Sequence, residues 1–311
     1  MKPLVWMLLL LCCPIILNAQ DKTALLKKTT ESFRKEDFKK AASYSETLSE
    51  KFPQEEDGFY WLGLSNYKLN KYDKSFAAFT KAIQINNKNT YIYFYRAKVL
   101  AMANKSQDAI NDLNMAIKYN TVDSMTFHLY LFRSGERSSV RDFEGVISDS
   151  YAALKEDSAS IDAMSNLAMA LNETGKGEEA IRWLQKIVSI DSSSFVIFQN
   201  IGFILSGMER YQEAMIYFDK AIHASPDEAF PYSNRGHVKM KMKDYEGALQ
   251  DINKSIKLNS GNSYAYRNRA LVHLEMKDPA RACKDLETAR KLGFDKLYGD
   301  EVNHLIAEKC K

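Results

Sequence analysis

FQNIGFILSGMERYQEAMIYFDKAIHASP, residues 198–226, decides the fold. Phe198, Ile201, Gly202 and Leu205 recur at helical spacing. After a short break, Tyr211, Ala214, Phe218, Ala221 and Ile222 do the same, and Ser225-Pro226-Asp227 closes the unit. Two helices of this length in antiparallel contact approach closely only where side chains are short, with aromatics filling the matching gaps. Gly202, Ala214 and Ala221 are the short positions. The pattern is periodic. Gly63, Ala97, Ala168, Gly202, Gly236 and Ala270 stand at a spacing of 34 residues, or two such spacings plus three from Ala97 to Ala168. They are followed by Ser75, Ala109, Ala180, Ala214, Ala248 and Ala282, then by Ala82, Ala116, Ile187, Ala221, Ser255 and Ala289. That period with small residues at these offsets predicts paired helices stacked in a row.

The eight blocks run over 22–55, 56–89, 90–123, 127–160, 161–194, 195–228, 229–262 and 263–292. On Phe198-Gln199-Asn200-Ile201-Gly202, Tyr211, Ala214, Phe218, Ala221 and Pro226, and on the phase of the other blocks, the chain resembles the tetratricopeptide repeat family. The resemblance covers nearly all of 22–292. It implies an all-α, right-handed superhelical solenoid of about eight helix pairs, the first helix of each pair lining a concave groove. It also implies binding of peptides or protein surfaces and no enzymatic activity. Residues 293–311 follow Gly293, a helix stop. There Val302, Leu305, Ile306 and Cys310 share one face, which predicts a capping helix over the open end of the stack.

Three departures stand out. The first block has Thr29 at the small position and is carried by Phe38, Ala41, Leu48 and Pro53. About three extra residues lie at Val122 to Ser124. The fourth block places Arg133-Ser134-Gly135-Glu136-Arg137-Ser138-Ser139 where a clean seam is due, and a locally irregular helix or altered curvature is expected there. Pro231 falls early in a leading helix and Pro279 at the start of a trailing one, where a missing N–H costs nothing.

The 43 Lys+Arg against 40 Asp+Glu nearly cancel, and positives alternate with negatives along the helices, so no nucleic-acid partner is implied. Residues 1–19 form a separate piece. Lys2, the apolar run from Leu4 to Leu17 and Ala19 before Gln20 read as a signal peptide cleaved after Ala19. Lipid attachment at Cys12 or Cys13 and an uncleaved anchor are the alternatives. The expected location is the periplasm or outer-membrane periphery of a Gram-negative bacterium, with no membrane insertion once the signal is removed. Cys283 and Cys310 then remain, and in an oxidising compartment they are predicted to form a disulfide pinning the cap.

Chemistry is sparse. His128, His223, His237, His273 and His304 form no short metal-ligand pair. Gly175-Lys176-Gly177 is a turn, and Ser32-Phe33-Arg34-Lys35 lacks the K-T-G that would accompany a penicillin-binding motif. No cofactor or metal is expected. The leading-helix side chains outside the seam are the better candidates. Tyr60, Leu64, Tyr91, Phe94 and Lys98 make an aromatic patch in the N-terminal half. Asn166, Asn200, Asn234 and Asn268 recur at the repeat period, beside Phe203, His237 and Arg267. The asparagines either hydrogen-bond the backbone of an extended peptide or bond within the stack. The role expected is a scaffold or adaptor holding a protein or peptide, within an envelope assembly or secretion system. A self-associating structural protein and a glycan or cell-wall-fragment binder are the rival readings.

Overall fold

A computed structural model describes residues 20–310, and the signal peptide reading on 1–19 lies outside them. All regular structure among the described residues is helical. Helix α1 covers 20–34. It is followed by α2 (Phe38–Lys51), α3 (Glu56–Lys68), α4 (Tyr72–Ile85), α5 (Thr90–Met102), α6 (Ser106–Lys118), α7 (Asp123–Ser139) and α8 (Phe143–Glu156). Then come α9 (Ile161–Glu173), α10 (Gly177–Ile190), α11 (Phe195–Gly207), α12 (Tyr211–Ala224), α13 (Ala229–Lys241) and α14 (Tyr245–Leu258). The chain closes with α15 (Ser263–Glu275), α16 (Pro279–Lys291), α17 (Phe294–Tyr298) and α18 (Glu301–Lys309). The chain falls into two compact units, one ending at Asn166 and the other beginning at Leu167. Successive helices pack on one another from α2 to α8 in the first unit and from α10 to α18 in the second, as a solenoid of stacked helix pairs requires.

The turn from leading to trailing helix is one device used throughout. Glu36, Asn70, Asn104, Arg141, Gly175, Glu209, Lys243 and Lys277 all take positive φ, between 55° and 77°. The next residue's N–H reaches back to close the helix end, as Lys71 does to Asn66 (2.8 Å) and Arg210 to Leu205 (2.9 Å). Where that next residue is aspartate it also caps the trailing helix. Asp37, Asp142, Asp244 and Asp278 accept from the N–H of Lys40, Gly145, Gly247 and Arg281.

The seam behaves as volume complementarity demands. A Cβ added at Gly63 would lie 2.6 Å from the Phe79 ring, at Gly202 2.8 Å from Phe218, and at Gly236 2.6 Å from Ile252. Where alanine takes the glycine's place, at Ala97 and Ala270, the residue sixteen further on is the slimmer Leu113 or Leu286. The fourth block corrects the expectation of an irregular helix. Helix α7 is continuous over 17 residues, against 13 in the neighbouring leading helices, because the extra residues lengthen its first turn. Its seam is polar and not broken. Ser134 is fully buried, donates to the Leu131 carbonyl (2.7 Å) and accepts from the Asn166 amide (2.9 Å).

A second joint recurs beside the seam. Arg96, Arg133, Arg235 and Arg269 each grip an aspartate sixteen residues on (Asp112, Asp149, Asp251 and Asp285) through Nε and Nη2 at 2.6–2.8 Å. The remaining Nη1 donates to the preceding trailing helix, at Thr80, Asn114, Asp219 or Asn253. One guanidinium thus ties three helices, with the fork geometry that makes such pairs strong.

At the C-terminus Gly293 (φ 81°) stops α16. Val302, Leu305 and Ile306 of α18 then pack with Leu286, Ala289 and Phe294. Cys283 and Cys310 are disulfide-bonded, their Cα atoms 5.6 Å apart, and tie α18 to α16.

Candidate functional site

The leading helices carry the candidate residues, and the two units treat them differently. In the first unit the aromatic patch is mostly core. Leu64 packs with Phe79, Ala82 and Ile92, and Phe94 with Ala97, Leu100 and Leu113. At 4% and 8% exposed, neither lines an open groove as expected. The reason is the next repeat: Phe132 of α7 meets the Phe94 ring edge-on at 5.9 Å. Tyr60 is half-buried against Trp61 and Phe79, and burial raises its hydroxyl pKa. Lys98 lays its ammonium 4.7 Å from the Phe94 centroid, and burial holds its pKa down. Tyr91 alone of these rings stays open, at 38% exposure.

The asparagine ladder divides. Asn166 donates to Ser134. Asn268 is fully buried, donates to the carbonyl and hydroxyl of Ser233 (3.2 and 3.1 Å), and accepts from Arg267 (2.9 Å). These two rungs bond within the stack. Asn200 is exposed and Asn234 half-buried.

Around Asn234 the second unit opens a cavity of about 160 Å³, lined by Phe203, Ser206, Gly207, Phe218, Asn234, His237 and Tyr264. Phe203, one rim, is 52% exposed, a large value for a phenylalanine on a packed helix. Val196 and Phe230 extend the apolar surface on α11 and α13. Tyr264, the far wall, is held from behind by the cap, with its ring stacked 6.2 Å from Phe294 and tilted 5.5 Å from Tyr298. Arg267 is engaged by Glu301 of α18. The His237 Nδ1 is sealed from solvent without a hydrogen-bond partner, as is the Gln199 Oε1 nearby on α11. Burial, reinforced by Arg267 and Lys241, pushes the His237 imidazole down to about 4, so it is neutral at pH 7. The cavity is therefore apolar on two walls, uncharged at its centre, and supplied with an amide and a hydroxyl. Such a place accepts a bulky side chain and fixes it by a few polar contacts.

Sequence reasoning named Phe203, Asn234 and His237 but not Ser206, Gly207 or the closing role of Tyr264. Ser206 and Gly207 lie one turn beyond Phe203, and that spacing was the available signal. No group of three or more metal-ligating side chains occurs among the described residues. No helix among them is long and apolar enough to cross a membrane.

Models described as tetratricopeptide repeat match residues 30–90, 160–190, 196–228 and 231–262. No curated protein matches. A tetratricopeptide repeat protein from Parabacteroides merdae is similar in structure, with a TM-score of 0.55 at 19% identity over 81% of this chain and 99% of that one. The C-terminal part of a repeat-containing protein from Cytophaga hutchinsonii gives 0.58 at 16% identity over 78% and 98%. A chain of the APC/C hetero-tetramer Cut9-Hcn1 gives 0.56 at 16% identity, covering 89% of this chain and 54% of that one.

Proposed function

The chain belongs to the tetratricopeptide repeat family, and we propose that it is a non-enzymatic scaffold that seats a segment of a partner protein on the α11–α13–α15 face. The observation that carries this reading is the cavity beneath Phe203. A ring left half in water beside a preformed hollow marks a recognition site. A bulky partner side chain enters between Phe203 and Tyr264, while Asn200 and Asn234 meet the backbone beside it. The scaffold is ordered before binding, so little entropy is lost on its side. The proposed setting is the cell envelope after export, in an assembly or secretion system. The Cys283–Cys310 bond supports an oxidising compartment.

The test is photo-crosslinking in the native cell from position 203 or 237, with the captured protein identified by mass spectrometry. Recovery of that protein by tagged chain should then fall by roughly tenfold in a Phe203→Ala, His237→Ala double variant. Equal recovery removes this face from the reading. Recovery of the chain in the cytosolic fraction of the native cell removes the export setting.

A further inference from the structure

We propose a second docking surface, on the trailing-helix side of the first unit, that takes an extended acidic segment of a partner protein. It lies where the second repeat lacks the joint described above. In the third to eighth repeats the position of Arg96 and that of Asp112 hold either an arginine–aspartate pair or an aliphatic residue with a large aromatic, Leu167 with Trp183 and Ile201 with Tyr217, and the first repeat sets Lys28 over the Tyr44 ring. The second repeat places Leu62 and Ala78 there. Neither fills the space, and a cleft of about 400 Å³ remains, floored by Phe59, Leu62 and Ala78.

Its walls are Lys71, Lys74 and Lys81 of the α4 segment, with Glu46 the one acid. None of the three lysines makes an ion pair among the described residues. The same register in the eighth repeat also keeps a hollow. There Arg269 and Arg281 are already paired with Asp285 and Asp278. A second hollow of about 520 Å³ adjoins the cleft, shares Lys71 and Lys74 as its wall with Asp73 its one acid, and ends at Met102 and Ala103. One small molecule fills one hollow; an extended chain spans both. Unpaired ammonium groups over an apolar floor select a chain that carries carboxylates around aliphatic or aromatic anchors.

The probe is a fluorescein-labelled peptide of aspartates and glutamates interrupted by two leucines, titrated into the full chain by anisotropy. Its controls carry serines for the leucines, or lysines for the acids. The leucine peptide should bind, and the serine peptide at least about tenfold more weakly, as loss of buried anchors requires. Lys74→Glu, at an exposed position, should weaken binding by a similar factor. So should Ala78→Tyr, which copies the filled joint of the sixth repeat, with its thermal melt checked against wild type. Phe203→Ala should leave the affinity unchanged. Equal binding of the leucine and serine peptides, no binding of either, insensitivity to Lys74→Glu, or loss in Phe203→Ala would each overturn the proposal.

Discussion

Seven of the left-handed turn positions are not glycine. An L side chain there crowds its own carbonyl, at a cost of about 1 kcal/mol. Glu209 and Lys277 show what the turn demands, since among the described residues their side chains make no polar contact that would compensate for φ of 60°. Glu209→Gly and Lys277→Gly should each stabilise the fold by about 0.5 kcal/mol, strain relief outweighing the added freedom of the unfolded chain. Urea denaturation checks this; destabilisation by either variant refutes it. His237 makes the opposite kind of statement. Its folded pKa of about 4 lies below the ordinary 6.5. The unfolded chain therefore binds the proton first as pH falls. Its contribution is present above pH 6.5 and is lost on the way down to about 4, on the order of 2 kcal/mol for this mostly buried ring. His273, whose pKa burial also lowers, acts in the same direction. A plot of melting temperature against pH should flatten in His237→Gln over that interval, and an unaltered slope would assign the loss elsewhere. The burial of Phe94 and Leu64 was not legible residue by residue. Helical spacing places both on the outer face of their helices. Whether that face meets water depends on how close the following repeat stands, and Phe132 settles that for Phe94.

At the scale of helices, the seam could be read and the arginine joint could not. Small residues at a fixed period leave a mark in the sequence because nothing larger fits; Gly63 against Phe79 permits no alternative. A charged pair sixteen residues apart leaves no such mark, since lysines, arginines and aspartates are everywhere on helical surfaces. Its signal was phase. Arg96, Arg133, Arg235 and Arg269 each stand one residue before the seam position. The seventh repeat adds a second cation to the joint, with Asp251 facing Arg235 at 2.6 Å and Lys239 at 2.8 Å, its own side chain 8% exposed. Asp251→Ala leaves two cations sharing a desolvated site, which should cost about 3 kcal/mol in chemical denaturation. The paired change Arg235→Ile with Asp251→Tyr, copied from the sixth repeat, should recover most of that, because replacing a buried pair by packed apolar groups is close to neutral. A double variant as unstable as the single one would show that the joint acts through more than pairing.

Across the whole chain, cooperation is short-ranged, since a helix in a repeat stack touches little beyond its neighbours. A staple at one end therefore protects that end. Cys283 and Cys310 are 27 residues apart. Closing a loop of that size stabilises by about 3.5 kcal/mol in the chain-entropy model. What it holds is the layer that also builds the candidate site: α17 and α18 back the Tyr264 ring through Phe294 and Tyr298, and Glu301 engages Arg267. Replacing both cysteines by serine should thus speed hydrogen exchange in α15 to α18, and slow exchange should persist in α2 to α6. If the Tyr264 wall is steadied from behind, the same variant should also weaken the partner captured from position 203, although no cysteine lines the cavity. Faster exchange spread evenly over the chain would mean that the staple acts on the unfolded state alone, and unchanged capture would separate the cap from the site.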